Sequence, residues 1–419
     1  MSAPAETAAQ IRSAISAETW DLPSFTRELT EARATNPFGD EAVAFCTELS
    51  SALLHPSSQG AGQAQVISLG YWLRPASIRR MSESFQRSGG PDVLLVPRGR
   101  VFHVTPANVD TMFAYSWLLA LLAGNVSVVR ISSRETELAS RLLDTIAAIL
   151  DQPAFAGLRR ANRLVRTDHD DAIVAGLSAI ADVRVVWGGD ETVDYFRRFP
   201  LPPRGRDVTF PNRHSLALLD AAAIRSSSDE ELAALADRFF NDAYWFDQAG
   251  CSSPRLIVWR ATSGEDAEDA RQRFHSAISE AIARRSLEIE TGLAITKMVF
   301  AFRRAAAHDG LTIDTPSNEI TWVELPDLTG YDRTHSGGGL FFEFVTGDLA
   351  AELAGLVGPQ DQTAVCYGLD EDAVLELARG LNGRGIDRFV RVGRALEFSA
   401  TWDGFDLLGE FVKRVVVDV

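Results

Sequence analysis

Lysine is nearly absent from this chain of 419 residues: only Lys297 and Lys413 occur, and arginine supplies the rest of the positive charge. That leaves few groups for Schiff-base chemistry, and no G-x-x-x-x-G-K-[ST] phosphate loop exists. Cysteine is scarce as well. Cys46, Cys251 and Cys366 are widely spaced and odd in number, so they form neither a zinc pattern nor a disulfide framework and point to a reducing compartment. The most apolar run, residues 112–123, is too short to span a bilayer and reads as a buried helix. The start, Met1-Ser2-Ala3-Pro4-Ala5-Glu6, lacks the basic end and apolar core of a signal peptide, so a cytoplasmic setting is expected. G-x-S-x-G, H-E-x-x-H and a strand-end G-x-G-x-x-G are missing too. A net charge of −16 argues against a nucleic-acid partner, although arginines can still gather locally around a nucleotide cofactor.

What is present is the length for two or three domains and, at 46% apolar residues, the composition of an ordinary globular protein. Residues 1–65 look helical, and the loop from Pro56 to Gly62 marks a boundary. From about residue 93 strands and helices alternate. Val93-Leu94-Leu95-Val96, Val101-Phe102-His103-Val104, residues 126–131 and residues 183–187 read as strands, with helices near 109–123 and 135–150 between them. This alternation predicts a doubly wound α/β domain with ligands at the carboxyl ends of its strands. A second alternating region begins near Ser215 and has strands near 319–323, 340–344 and 363–367. The tail from Lys413 to Val419 is a further strand that needs a neighbour, for which another subunit is one candidate.

The turn Asp247-Gln248-Ala249-Gly250-Cys251-Ser252-Ser253-Pro254-Arg255 joins a helix over 229–246 to a buried strand, Leu256-Ile257-Val258-Trp259. A thiol there is either presented to a pocket by fixed backbone or packed as a small hydrophobe; the turn alone leaves both open. The acidic turn Asp168-His169-Asp170-Asp171 reads as a solvated loop rather than a metal site. Ser336-Gly337-Gly338-Gly339 reads as a flexible loop, with phosphate binding as the lesser alternative.

Three segments lie in a telling order: Thr105-Pro106-Ala107-Asn108 after a strand, Ala123-Gly124-Asn125-Val126-Ser127-Val128-Val129-Arg130, and Trp187-Gly188-Gly189. They resemble the Pro-x-Asn, Ala-Gly-Asn-x-Val-Val-x-Lys and Phe-Thr-Gly-Ser motifs of the aldehyde dehydrogenase superfamily. Within it, Asp247-Gln248 with Gly250-Cys251-Ser252-Ser253-Pro254, Gln362-Thr363 and Thr401-Trp402-Asp403-Gly404-Phe405-Asp406-Leu407 resemble the LuxC-type acyl-CoA reductases. The likeness runs over roughly residues 90–419. It implies an aldehyde-dehydrogenase-like α/β fold, with two doubly wound domains, a cleft between them and a C-terminal strand. The implied division is a mainly helical region over 1–90, a nicotinamide-cofactor-binding domain over 91–214, a catalytic domain over 215–395 and a return or oligomerisation segment over 396–419.

The resemblance makes Cys251 the nucleophile that takes the acyl group as a thioester, and Asn108 the amide that stabilises the oxyanion; an N-cap role before Val109-Asp110 is the alternative for Asn108. Thr105, Pro106, Arg130, Ser132, Ser133, Gly188 and Gly189 would hold the cofactor, and Glu343 the nicotinamide ribose, a solvated or structural carboxylate being the alternative for Glu343. Ser133 stands about where NAD-dependent members carry a glutamate; with Arg130 and Arg134 nearby, NADPH is favoured over NADH. No metal is implied. The stretch Phe210-Pro211-Asn212-Arg213-His214-Ser215 replaces the superfamily's Glu-Leu-Gly-Gly-Lys, so no carboxylate stands there to activate water, and His214 reads as structural. The expected activity is NADPH-dependent reduction of an acyl-CoA or acyl-carrier/acyl-protein thioester, fatty acyl by default, to an aldehyde, in a homo-oligomer. Its rivals are an aldehyde dehydrogenase acting oxidatively, a cysteine acyltransferase without redox chemistry, and a non-catalytic subunit.

Overall fold

The computed structural model describes residues 10–56, 63–106, 108–133, 136–167 and 170–419. The N-terminal hexapeptide, Ser57–Gly62 of the boundary loop, Ala107, Arg134 and the Asp168-His169 pair lie outside the described residues. The chain divides into two compact units, Met1–Pro211 with Phe398–Val419, and Asn212–Glu397.

In the first unit the strands are β1 (Ile11–Ser13), β2 (Thr19–Trp20), β3 (Val93–Pro97), β4 (Arg100–Val104), β5 (Val126–Arg130), β6 (Asn162–Thr167), β7 (Val183–Trp187) and β8 (Arg206–Phe210). All but β3 form a seven-stranded sheet in the order β2-β1-β6-β5-β4-β7-β8. Strands β4 to β8 are parallel, while β1 joins β6 antiparallel. Residues of β5 alternate between two apolar layers: Val126 and Val128 pack with Phe102, Val165 and Ile173, and Val129 packs with Trp117, Leu143 and Leu164. Burial on both faces explains why these strands read as continuous β-branched runs. The helix Met112–Leu122 is buried along its whole length, as its unbroken apolar sequence requires. The N-terminal region is helical over Leu22–Glu31 and Asp40–Leu54, and also supplies β1 and β2, which are too short to show a period.

The Ala-Gly-Asn segment is the pivot of this unit. Gly124 has φ +82°, and a Cβ there would lie 2.2 Å from the Thr35 carbonyl oxygen. Asn125 is buried; its Oδ1 accepts from Gly99 N–H at 3.0 Å, and its Nδ2 donates to Ala120 O at 3.2 Å and Phe411 O at 3.0 Å. One side chain thus pairs the Gly99 N–H and ties it to the Ala120 and Phe411 carbonyls, which also accept from the Asn125 and Arg98 N–H groups.

The second unit contains β9 (His214–Asp220), β10 (Pro254–Arg260), β11 (Thr312–Ser317), β12 (Ile320–Glu324), β13 (Leu340–Thr346), β14 (Asp361–Tyr367) and β15 (Arg388–Arg391). Their order is β11-β12-β13-β10-β9-β14-β15, parallel throughout except for β11. Leu256 and Val258 enter one apolar layer, Ile257 and Trp259 the other. The helices Asp229–Tyr244 and Gly264–Arg285 cover the latter face, with Leu232, Leu235, Phe239, Phe274 and Ile278 in its core.

The chain then returns to the first unit with β16 (Thr401–Trp402), β17 (Phe405–Asp406) and β18 (Val412–Val416). The terminal strand finds its neighbour within the chain: β18 pairs antiparallel with β3, from Val412 opposite Pro97 to Val416 opposite Val93. The partner was hidden because some 310 residues separate the two strands, beyond the reach of any local pattern. Among the described residues no helix is long and apolar enough to cross a membrane.

Candidate active site

In the first unit the strand order reverses at β4, which has β5 on one side and β7 on the other. Such a switch point opens a crevice at the carboxyl ends of the strands. Thr105, Pro106 and Asn108 follow β4, Ser132 and Ser133 follow β5, Gly188 and Gly189 follow β7, and Arg130 ends β5. The fold therefore brings these predicted residues to one edge of one sheet. Arg130 is fixed there: its Nε donates to Thr167 Oγ1 at 2.9 Å, and its carbonyl accepts from Thr105 Oγ1 at 2.9 Å. Burial lowers its pKa from the ordinary arginine value.

Two details of this edge differ from expectation. The helix after Asn108 begins at Met112 with Thr111 as its N-cap, so Asn108 stands outside the capping position. The helix Asp190–Arg197 starts at Gly189 and carries Asp190 and Glu191 in its first turn. These carboxylates offset the positive helix end and disfavour a phosphate there. Gly188 has a local reason to be glycine, because a Cβ would lie 2.8 Å from the Thr192 side chain.

In the second unit Cys251 precedes β10 and so lies at the amino-terminal edge of its sheet. The helix before it is fixed by a capping box, with Ser228 Oγ accepting from Glu231 N–H and the Glu231 carboxylate accepting from Ser228 N–H. It ends in a turn with two successive residues at positive φ, Asp247 at 49° and Gln248 at 64°. Gln248 is fully buried; its Nε2 donates to Pro254 O at 3.0 Å and Leu340 O at 2.8 Å. The Cys251 carbonyl accepts from Ser215 Oγ at 2.7 Å, and Gln362 Nε2 donates to the buried Ser252 Oγ at 3.2 Å. The thiol is thus carried on backbone tied to β9, β13 and β14.

The three cysteines are not alike. Cys46 is fully buried and its thiol pKa is pushed far up by burial, while burial pushes Cys366 up to about 12. Cys251 is only half-buried, and its sulfur lies within electrostatic reach of the Arg255 guanidinium, which a thiolate there stabilises. By reciprocity the cation favours the thiolate. One Arg255 N–H donates to His214 Nδ1 at 3.0 Å. Burial and the nearby Arg255 charge push the pKa of His214 down to about 4, so at neutral pH this ring is an uncharged acceptor that orients the arginine.

Glu343 is a correction. Alternation along β13 turns it to the same face as Phe341, and only 1% of it is exposed. Its Oε1 accepts from Trp259 Nε1 at 2.9 Å and lies 3.0 Å from His275 Nε2. A carboxylate enclosed in the core in this way is not available to a ribose. Ser336–Gly339 is a second correction: the loop is bound at several points rather than flexible. Gly338 N–H donates to Asp247 O at 2.9 Å and Gly339 N–H to Gln248 Oε1 at 3.0 Å. Residue-by-residue reading missed Arg255, Lys297 and His335. Lys297 does leave a sequence signal, a lysine on the Leu293-Lys297-Ala301 stripe of a helix.

Burial also predicts acid lability. His103 is fully buried on β4, with Nδ1 2.8 Å from Ser116 Oγ, and burial pushes its pKa down to about 3. Between that value and the ordinary 6.5, the unfolded chain binds a proton that the native state does not. Stability is therefore complete above pH 6.5 and falls as pH drops, by about 1.4 kcal/mol per unit for this one histidine. His214 and His335 act in the same direction in the second unit. Urea unfolding at pH 7 and pH 5 checks this; equal stability at both, or a slope unchanged in His103→Asn, would contradict it.

Two α/β units built on mainly parallel sheets, one with a switch-point crevice and the other with a thiol before a central strand, make an aldehyde-dehydrogenase-like fold. Aldehyde dehydrogenase 21 from Physcomitrella patens, solved with succinate, superposes with a TM-score of 0.68 at 12% identity, covering 99% of this chain and 95% of its own. An NADP-dependent enzyme from E. coli gives 0.68 at 13%, covering 97% and 93%. At such identities the likeness is one of fold. The sequence narrows it: residues 82–289 match the family described as Acyl-CoA reductase (LuxC). The resemblance to the LuxC-type reductases, read from the motifs, is borne out. The long-chain acyl-protein thioester reductase of Aliivibrio fischeri is 26% identical over 165 residues, which is 39% of this chain and 32% of that protein. The long-chain acyl-protein thioester reductase 2 of Photobacterium leiognathi is 23% identical over 185 residues, 44% and 36%. The matched segments span about a third of the length of these relatives.

Proposed function

We propose that the protein is an NADPH-dependent reductase of long-chain acyl thioesters, with Cys251 as the acyl carrier. The carrying observation is the Cys251 turn, where a half-buried thiol sits within electrostatic reach of Arg255 on backbone tied to three strands, whereas burial raises the thiol pKa of both Cys46 and Cys366. The Cys251 thiolate attacks the thioester carbonyl, and the resulting oxyanion expels the donor thiolate, leaving an acyl-Cys251 thioester. Asn108 is the amide that stabilises the oxyanion in this scheme. Thr105, Pro106, Arg130, Ser132, Ser133, Gly188 and Gly189 fit a nicotinamide dinucleotide because they share the switch-point edge, with Arg130 held as a fixed cation for a 2′-phosphate. When bound, NADPH supplies the hydride that brings the acyl carbon to the aldehyde level. Cys251 would then be the leaving group: hydride addition gives an oxyanion, which re-forms the carbonyl of the aldehyde as the C–S bond breaks and the thiolate is restored.

Water is a poor competitor in this scheme. Residues 210–215 contain no carboxylate, and the Nδ1 of His214 is committed to Arg255. The names of the A. fischeri and P. leiognathi relatives support a long acyl chain and a protein-bound donor for this chain as well. Self-association belongs to the same proposal and would use the β3–β18 ribbon, where Leu94, Val415 and Val416 are exposed.

The test is to incubate the protein with acyl-CoAs of graded chain length and either NADPH or NADH. Cofactor absorbance, aldehyde and the mass of the Cys251 peptide are followed together. Acylation with NADPH oxidation and aldehyde release is the expected result. Acylation without NADPH oxidation would instead make the protein an acyltransferase.

A further inference from the structure

The helix Thr291–Ala307 turns Leu293, Lys297 and Ala301 inward at intervals of one turn, the spacing that aligns side chains on one face. At the middle position an apolar residue would satisfy the pattern, yet a lysine stands there, 0% exposed. Its Nζ donates to Asn318 O at 2.6 Å and Gly338 O at 2.9 Å. Leu293, one turn earlier, packs against Gly338.

Gly337, Gly338 and Gly339 all have positive φ, at 75°, 68° and 76°. Three successive left-handed residues aim their N–H groups and carbonyls in directions ordinary strands do not. Gly338 N–H meets Asp247 O, and Gly339 N–H meets Gln248 Oε1. His335 ties the loop to itself: its Nδ1 accepts from Gly337 N–H at 2.9 Å, and Nε2 donates to Leu340 O at 2.9 Å. The glycine run therefore lies between Lys297 on one side and the Asp247-Gln248 turn on the other. Gln248 continues the chain of bonds to Pro254, so the clamp holds the nine-residue turn on both flanks of Cys251.

We propose that Lys297, acting through Gly338 and Gly339, is a positioning residue that fixes the turn carrying Cys251 and so sets the place of its thiol. The proposal rests on Cys251 being the nucleophile. The amine does this in either protonation state, because an uncharged NH2 still offers two N–H donors to the two carbonyls. Burial pushes the Lys297 pKa down to about 8. The cost of burying this ammonium explains why so few residue types would serve: the site needs a long donor rather than a charge.

The experiment compares wild type with Lys297→Met, which removes both donors, and Lys297→Gln, which keeps a donor without the charge. The acylation rate of Cys251 is measured in single turnover with an acyl-CoA, together with the pH midpoint of its alkylation by iodoacetamide. Lys297→Met is expected to slow acylation by about 100-fold, the scale of a 1 Å misplacement, and to move the midpoint up towards that of an ordinary thiol. Lys297→Gln should recover part of both. A lysine that merely stabilised the fold would lower the melting temperature and leave the midpoint in place, and that result overturns the proposal. If Lys297→Met does not fold, amide hydrogen exchange of the wild type decides. Gly338 and Gly339 protected like β10 support the clamp; exchange at the rate of an exposed loop overturns it. Failure of wild-type Cys251 to become acylated would instead remove the functional reading on which the proposal rests.

Discussion

Cys251→Ala is expected to lower acyl-thioester reduction by about 10,000-fold or more while leaving the fold intact. The magnitude follows from removing a covalent step rather than weakening one: without the thiolate, hydride would have to reach a free thioester that nothing has positioned. The fold should survive because Cys251 is half-buried in a turn held by hydrogen bonds through Gln248, Ser215 and the backbone. Cys251→Ser should fare little better, since a hydroxyl needs a base and the electrostatic partner here, Arg255, is a cation. Cys46→Ala is the informative contrast. Cys46 is 0% exposed and packs with Phe45, Leu49 and Trp117, so its truncation leaves a small cavity worth about 1–2 kcal/mol and spares turnover. Turnover and urea unfolding of both variants check the pair. A Cys251→Ala protein that still reduces acyl thioesters, or a Cys46→Ala protein that does not, would overturn the assignment of the nucleophile.

The parts of the molecule legible in its sequence are those governed by short-range pattern. Residues 126–130 and 183–187 declare themselves as strands because each is buried on both faces and rich in valine. The motif residues after β4, β5 and β7 share an edge because the order of βαβ units dictates it. Other features depend on which distant segments meet. The strands β1 and β2, of three and two residues, carry no period, and β18 finds β3 only through the fold. Glu343 misleads because its match to a ribose ligand comes only through the family resemblance, and Trp259 and His275, the groups that satisfy its carboxylate, lie on other elements and out of reach of local pattern. The glycine run misleads for a similar reason. Consecutive glycines imply flexibility only when nothing receives their backbone groups, and here Lys297, Asp247 and Gln248 do.

Gly339 is where that last point has its largest consequence: Gly339→Ala is expected to destabilise the second unit by more than about 4 kcal/mol, the range reserved for severe strain or burial of unpaired groups. An alanine Cβ would lie 2.0 Å from the Glu319 carbonyl oxygen and 2.8 Å from both the ring and the hydroxyl of Tyr244. Neither obstacle yields easily. The Glu319 carbonyl is backbone that also accepts from Tyr244 Oη at 3.2 Å, and the carbonyl of the preceding residue, Asn318, holds Lys297. Moving this segment outward breaks the lysine contact; moving Gly339 instead breaks its bond to Gln248 Oε1 and leaves a buried amide oxygen unpaired, at about 1–3 kcal/mol. The left-handed φ of +76° adds roughly 1–2 kcal/mol for any residue with a Cβ. Gly383→Ala isolates that last contribution, because Gly383 has φ +80° and a Cβ there would meet nothing within 4 Å; it should cost only about 1–2 kcal/mol. Gly338→Ala falls between the two, its nearest neighbour being the movable Leu293 side chain at 3.1 Å. Urea denaturation of the three variants therefore ranks them Gly339, Gly338, Gly383. A Gly339→Ala protein no less stable than Gly383→Ala would mean that the backbone around Glu319 gives way freely, and the turn that carries Cys251 would then have no rigid wall behind it.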